Sequence, residues 1–168
     1  MLMVKDSLLT LKFNGCYLGE RLYSGVALII QAGVVVDKQL YENGKEKELD
    51  FLLPFPKYKS SIIDVDFDSL EGIEEPYFLN ETEFSGCAFK FHNDVCISII
   101  QYEFGFAVSD ATFQNGCLTR LEFSDEDGKF SQAFNWEEDG TYGRYRITDQ
   151  GQFNFSLAFI NNKNFFKI

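Results

Sequence analysis

A single histidine, His92, stands in the 168 residues. It falls in the turn His92-Asn93-Asp94, where an imidazole ordinarily faces solvent, so a nucleophile–base pair has little to rest on. The four cysteines, Cys16, Cys87, Cys96 and Cys117, include no CxxC pair. A closed zinc site needs four ligands at defined spacing, and one histidine with scattered thiols does not supply them. The turn Asp125-Glu126-Asp127-Gly128 lacks the alternating donors and closing glutamate of a calcium loop. Neither GxxxxGK[ST] nor GxGxxG occurs, which excludes the common phosphate-cradling loops. Acidic residues number 26, so some carboxylates lie close together by chance, and proximity alone is no glycosidase pair. The sequence therefore predicts no cofactor, no metal and no enzymatic activity.

Long apolar runs are also missing. No stretch of 18 apolar residues occurs, and Lys5 and Asp6 interrupt the apolar start, so neither a membrane span nor a signal peptide is expected. The expectation is a cytoplasmic protein whose cysteines are reduced, buried and act as small apolar residues. Positive charge is scarce as well. The formal net charge is −11, which argues against nucleic acid and anionic membranes as partners, since both need a basic face. It leaves a basic protein partner open.

What the chain does have is aromatic area: 19 Phe, 8 Tyr and 1 Trp, residue types that favour strands and cover a sheet face. Gly105, Gly116, Gly128, Gly140 and Gly151 follow one another at 11, 12, 12 and 11 residues, and each of the last four closes a polar turn. Asn-Gly and Asp-Gly pairs supply the positive φ angles of tight hairpin turns. Between them residues alternate, as in Phe153, Phe155, Leu157 and Phe159, while no helical period is sustained. Every second turn gives Gly105, Gly128 and Gly151, a two-strand unit of about 23 residues.

A second echo lies nearer the N-terminus. Gly19-Glu20-Arg21-Leu22-Tyr23-Ser24-Gly25-Val26-Ala27 returns further on as Asn80-Glu81-Thr82-Glu83-Phe84-Ser85-Gly86-Cys87-Ala88. At the same offset Tyr41 meets Tyr102 and Gly44 meets Gly105. Each copy reads as a hairpin with turns at Gln31-Ala32-Gly33 and Asn43-Gly44, or at His92-Asn93-Asp94 and Gly105. Between the copies, from about Leu53 to Leu79, stand all three prolines, Pro54, Pro56 and Pro76. Proline is tolerated at edges and loops, so this segment is predicted to leave the regular meander or form its edge. Within it, Ile63 to Phe67 reads as a strand with Ile63, Val65 and Phe67 on one face and Asp64, Asp66 and Asp68 on the other.

A hairpin repeat of about 23 residues with an aromatic, Ser-Gly, a small apolar residue and a Tyr-x-x-Gly ending resembles the membrane-occupation-and-recognition-nexus (MORN) repeat. It looks most like the bacterial variant found in YwqK-type antitoxins. The residues that carry the likeness are Gly19 to Ala27 with Tyr41-Glu42-Asn43-Gly44-Lys45, and Glu83 to Ala88 with Tyr102-Glu103-Phe104-Gly105. The Gly-x-Gly step of the standard repeat is missing after Lys45. The resemblance implies an elongated, curved meander and a role as cognate inhibitor of a secreted toxin; it brings no catalytic residues.

Taken together, the sequence predicts one all-β domain over residues 1–168, an antiparallel meander of MORN-like hairpins, curved or partly closed. Ser60 to Phe89 contains no Lys or Arg but eight acids, which suggests a surface for a basic toxin. The candidate contacts are Asp64, Asp66, Asp68, Glu71, Glu74 and Glu75, followed by the acidic turns Asp125, Glu126, Asp127 and Glu137, Glu138, Asp139. The expected function is an immunity protein. A β-barrel that binds a small ligand and a MORN-like scaffold module are the alternatives.

Overall fold

Short alternating segments separated by turn residues fold here as strands wherever the chain is described. The computed structural model of the chain describes residues 1–48, 63–124, 130–136 and 142–147. Among them are β1 (Leu2–Lys5), β2 (Leu9–Lys12), β3 (Gly15–Leu18), β4 (Arg21–Leu22), β5 (Gly25–Gln31), β6 (Val34–Glu42), β7 (Lys45–Lys47) and β8 (Ile63–Asp66). Then follow β9 (Phe78–Leu79), β10 (Thr82–Glu83), β11 (Gly86–His92), β12 (Val95–Glu103), β13 (Phe106–Gln114), β14 (Cys117–Ser124), β15 (Phe130–Trp136) and β16 (Tyr142–Ile147). The only helical pieces among the described residues are two 3-10 turns, Asp6–Leu8 and Phe67–Ser69. None is long or apolar enough to cross a membrane.

The fold is all-β, but its main sheet of eleven strands is mixed rather than antiparallel. β11 to β16 pair consecutively and antiparallel, as the turn spacing predicts. The correction concerns β1 with β5 and β8 with β11, which run parallel. A parallel pair needs a long crossover. The small sheet β2-β3-β4 forms it in the first case, and the Phe67–Ser69 turn with the β9-β10 pair forms it in the second.

Of the segment expected to leave the meander or form its edge, the described part after Asp66 leaves the main sheet, but β8 lies in the middle of that sheet. β8 sits between β6 and β11 in the strand order. Its parallel partner is β11, and it touches β6 through Val34↔Val65. β1 in turn reaches β12 through Val4↔Val95. All three prolines fall outside this short strand, so it can enter the sheet without losing a ladder hydrogen bond. Pro54 and Pro56 lie outside the described residues.

The registers repeat at the offset seen in the sequence. Leu2↔Gly25 through Lys5↔Leu28 is answered by Ile63↔Gly86 through Asp66↔Phe89, every residue displaced by the same interval. The Ser-Gly step owes its place to two contacts. The hydroxyl oxygen of Ser24 accepts from Asn43 N at 2.9 Å, and that of Ser85 from Phe104 N at 2.9 Å. A Cβ on Gly25 would collide with Leu2 O, and one on Gly86 with Ile63 O, both well inside the 3.0 Å that real Cβ atoms respect. Only glycine lets the neighbouring parallel strand approach that closely.

Three apolar clusters follow from the two faces. The central one holds Met3, Val26, Leu28, Leu40, Cys87, Phe89, Cys96, Ile99, Ala111, Phe113, Leu118, Leu121 and Phe134. On the other face Val4, Cys16, Tyr23, Ala27 and Tyr41 form one satellite, and Val65, Phe84, Ala88 and Tyr102 form its counterpart. Tyr23 and Tyr41 pack with ring centroids 6.0 Å apart, and Phe84 and Tyr102 with centroids 5.8 Å apart. Each fully buried aromatic contributes about 2–3 kcal/mol.

Candidate partner-binding surface

The acidic window splits into two groups with different surroundings. Along β8 the side chains alternate as expected, with Val65 fully buried in a satellite cluster. The opposite face turns inward too. Asp66 pairs with Lys5 at 2.7 Å, and Lys5 lies 3.7 Å from Asp94. Asp64 pairs with Lys38, whose ammonium also stands over the Phe89 ring at 5.6 Å. The Asp66 and Asp64 side chains are only 12% and 14% exposed, and Asp64 Oδ1 has no hydrogen-bond partner among the described residues. Asp64 and Asp66 thus spend their charge on lysines of the same chain.

Asp68, Glu71, Glu74 and Glu75 lie outside, all exposed. Asp68 belongs to the Phe67–Ser69 turn, where its N–H donates to Asp66 Oδ1 at 3.2 Å. Glu71 is held by a bridge to Phe78, with backbone bonds of 2.8 and 2.9 Å. The loop from Gly72 to Pro76 is laid against the turn at Phe104-Gly105. Tyr77 N donates to Gly105 O, Gly105 N to Phe84 O and Phe84 N to Tyr77 O, at 2.8, 2.8 and 2.9 Å. Ala107 N donates to Glu75 Oε1 at 3.1 Å. One of the predicted residues, Glu75, is thereby brought beside a turn on another part of the chain, with Glu74 next to it in sequence. Asp125, Glu126, Asp127, Glu137, Glu138 and Asp139 lie outside the described residues.

Around this loop stand three apolar side chains that the sequence reading passed over. Ile73 is fully exposed, Phe104 is 70% exposed and Phe106 is 46% exposed. The available signal was the turn Phe104-Gly105, where an aromatic occupies a position that favours Asn, Asp or Gly. Exposed apolar area rimmed by carboxylates is suited to contact with another macromolecule: the apolar atoms supply affinity and the charges supply partner choice and encounter rate.

The remaining titratable groups sit elsewhere. His92 is exposed, with Nε2 3.3 Å from Asn93 Nδ2. Burial pushes the Cys87 and Cys96 thiols up to about 12, and it raises Cys16 as well. All four cysteines are free, three of them buried. On β13 burial raises the Asp110 carboxyl, opposed by the Ser98 hydroxyl that donates to it at 2.6 Å. Among the described residues no group of three or more His, Cys, Asp or Glu side chains is placed to hold a metal ion. Compared with known proteins, the chain matches no family model, no curated protein and no solved structure.

Proposed function

We propose that this chain is an immunity protein that neutralises a basic bacterial toxin by direct contact. What supports the reading most is the surface where Glu75 accepts from Ala107 N and Pro76-Tyr77 lie against Gly105, with Ile73, Glu74, Phe104 and Phe106 exposed on the same two loops. Its formal charge suits a cationic substrate groove, and facing fields of opposite sign speed encounter by one or more orders of magnitude. The likeness of the Tyr-Ser-Gly units to YwqK-type antitoxins points the same way. The proposed contact set is Asp68, Glu71, Glu74 and Glu75, because Asp64 and Asp66 are engaged by Lys38 and Lys5.

The test is co-expression with the product of the neighbouring gene. Toxicity of that product alone, relief of it by this chain, and a stoichiometric complex that weakens with salt are the expected results. A neighbouring product that is harmless, or that stays toxic and unbound, would remove the reading.

A further inference from the structure

The two halves of the chain build the same small frame twice and dress it differently. In the first, Cys16 N donates to Gly44 O, Gly44 N to Tyr23 O and Tyr23 N to Cys16 O, at 2.8, 2.7 and 2.9 Å. In the second, the same three bonds join Tyr77, Gly105 and Phe84. Both turns have two successive residues at positive φ, Asn43 and Gly44 at 50° and 76°, Phe104 and Gly105 at 49° and 82°. The backbone of the frame therefore does not dictate which side chains surround it.

Those side chains differ consistently in charge, while both frames carry exposed apolar side chains, Leu11, Phe13 and Leu22 around the first and Ile73, Phe104 and Phe106 around the second. Where the first frame has Lys12, Phe13, Asn14, Glu42, Asn43 and Lys45, the second has Ile73, Glu74, Glu75, Glu103, Phe104 and Phe106. Two lysines and an asparagine have become apolar, and two uncharged residues have become carboxylates. The second set carries three acids and no base. Its aromatics are exposed, so the core gains little from them. Phe104 also occupies a left-handed backbone position that Asn fills at little cost in the other half.

We infer that the second frame, and not the first, is the seat of a cationic segment of a partner protein. Phe104 and Ile73 fit an apolar side chain of that segment, and Glu74, Glu75 and Glu103 face its Lys or Arg residues. The inference rests on the reading that the partner is a basic protein, and it locates the contact within that reading.

The test uses the full chain, isotopically labelled, titrated with two short synthetic peptides. One is rich in Lys and Arg and carries two leucines; the other has serines in place of the leucines. Amide shifts should concentrate at residues 73–77 and 103–107. The pair Glu74→Lys and Glu75→Lys should weaken both peptides about tenfold. Phe104→Asn, which installs the residue of the first frame, should weaken the leucine peptide about threefold to tenfold and leave the serine peptide unchanged. Lys12→Glu with Lys45→Glu should weaken neither. Shifts spread over all acidic surfaces, shifts centred on residues 12–16 and 42–46, or equal effects of Phe104→Asn on both peptides would overturn the inference. Peptide binding here without protection from any toxin would instead count against the immunity role alone, whereas protection unaffected by these variants would count against the location alone.

Discussion

Lys5 and Asp66 hold the same position in the two echoing strands, Leu2–Lys5 and Ile63–Asp66, and their side chains meet at 2.7 Å. Their backbones are matched as well: Lys5 N donates to Asp94 O at 2.9 Å, and Asp66 N to Gly33 O at 2.7 Å, acceptors that are themselves equivalent between the copies. A charge and its counterpart thus face each other across a relation that identical residues could not satisfy. Two lysines or two aspartates here would repel. The halves have diverged at this point in a way that ties each to the other.

The first prediction follows from that equivalence. Lys5→Met or Asp66→Asn alone strands a partly buried charge. With the side chains 23% and 12% exposed, the cost is reduced by solvent to about 1–3 kcal/mol. Exchanging the two residues, Lys5→Asp with Asp66→Lys, should recover only part of it, as read from urea midpoints, because the new carboxylate faces Asp94 and Asp68 N loses its acceptor. The pair also gives a pH dependence. The hydrogen bond to Asp66 raises the Lys5 ammonium above its ordinary value of 10.5, although burial opposes the shift. The stabilisation is therefore complete below that pH and is lost as pH climbs through the folded-state value. The Lys5→Met midpoint should fall less steeply over that range.

A second prediction uses the chain as its own control. Lys38 and Asp64 form an inward ion pair, and their equivalents in the opposite copies are Ile99 and Met3, both buried in the central cluster. The same geometry accommodates an apolar pair. Asp64→Met alone should cost about 3 kcal/mol, since it leaves an ammonium among apolar neighbours. Asp64→Met with Lys38→Ile should be neutral or more stable than the parent by about 1–3 kcal/mol. A double variant as unstable as the single one would mean that the two sites are not packed alike.

The thiols should be silent while the fold is closed. With Cys87 and Cys96 pushed up to about 12, only about one in ten thousand is thiolate at pH 8. Ellman's reagent should label half-buried Cys117 first and reach Cys87 and Cys96 only on unfolding, which peptide mapping resolves. In the unfolded chain these thiols ionise near 9.0, while in the folded chain they keep their protons to about 12. Rising pH across that window therefore favours the unfolded state. Fast native labelling of Cys87 would show that the centre of the sheet opens.

Gly25 and Gly86 supply a fourth test. Gly86→Ala places a methyl group against the Ile63 carbonyl of a strand that cannot move without breaking its pairing, and Gly25→Ala does the same against Leu2. Each should destabilise by about 3 kcal/mol in denaturant titration. A loss below about 0.5 kcal/mol at either site would show that the parallel pair yields.

These contacts mark what could be read from the sequence. Turns were legible because Asn43-Gly44 and Asn115-Gly116 state their backbone needs locally; both Asn and Gly sit at positive φ. The echo between the two halves was legible because Ser24-Gly25 and Ser85-Gly86 answer to one local geometry. The parallel pairs were not, since Leu2-Met3-Val4-Lys5 is too short to announce a partner. The alternation of Asp64 and Asp66 against Val65 was legible, but the direction of the acidic face was not. The lysines that draw it inward, Lys5 on β1 and Lys38 on β6, come from distant strands, and no local pattern carries that pairing. Glu74 and Glu75 were singled out from composition, whereas Phe104 and Phe106 come near Glu75 only through the turn that follows β12.

The position of Phe104 yields the last prediction, on stability rather than binding. An aromatic residue at φ 49° holds its Cβ against backbone atoms, a strain of about 1 kcal/mol that Asn, with the same Cβ, offsets through local side-chain hydrogen bonds. The ring is 70% exposed, so removing it forfeits little burial. The Ser85 hydroxyl bonds to the backbone N–H of residue 104 and is indifferent to the side chain. Phe104→Asn should therefore raise stability by about 0.5–1 kcal/mol. Asn43→Phe, which places the aromatic on the first frame, should lower it by a similar amount. Equilibrium unfolding of both variants measures the two differences, and their opposite signs are the result to look for. If Phe104→Asn instead destabilises the chain, the ring is packed against residues beyond its own turn, and its exposure is not a sign of readiness for a partner.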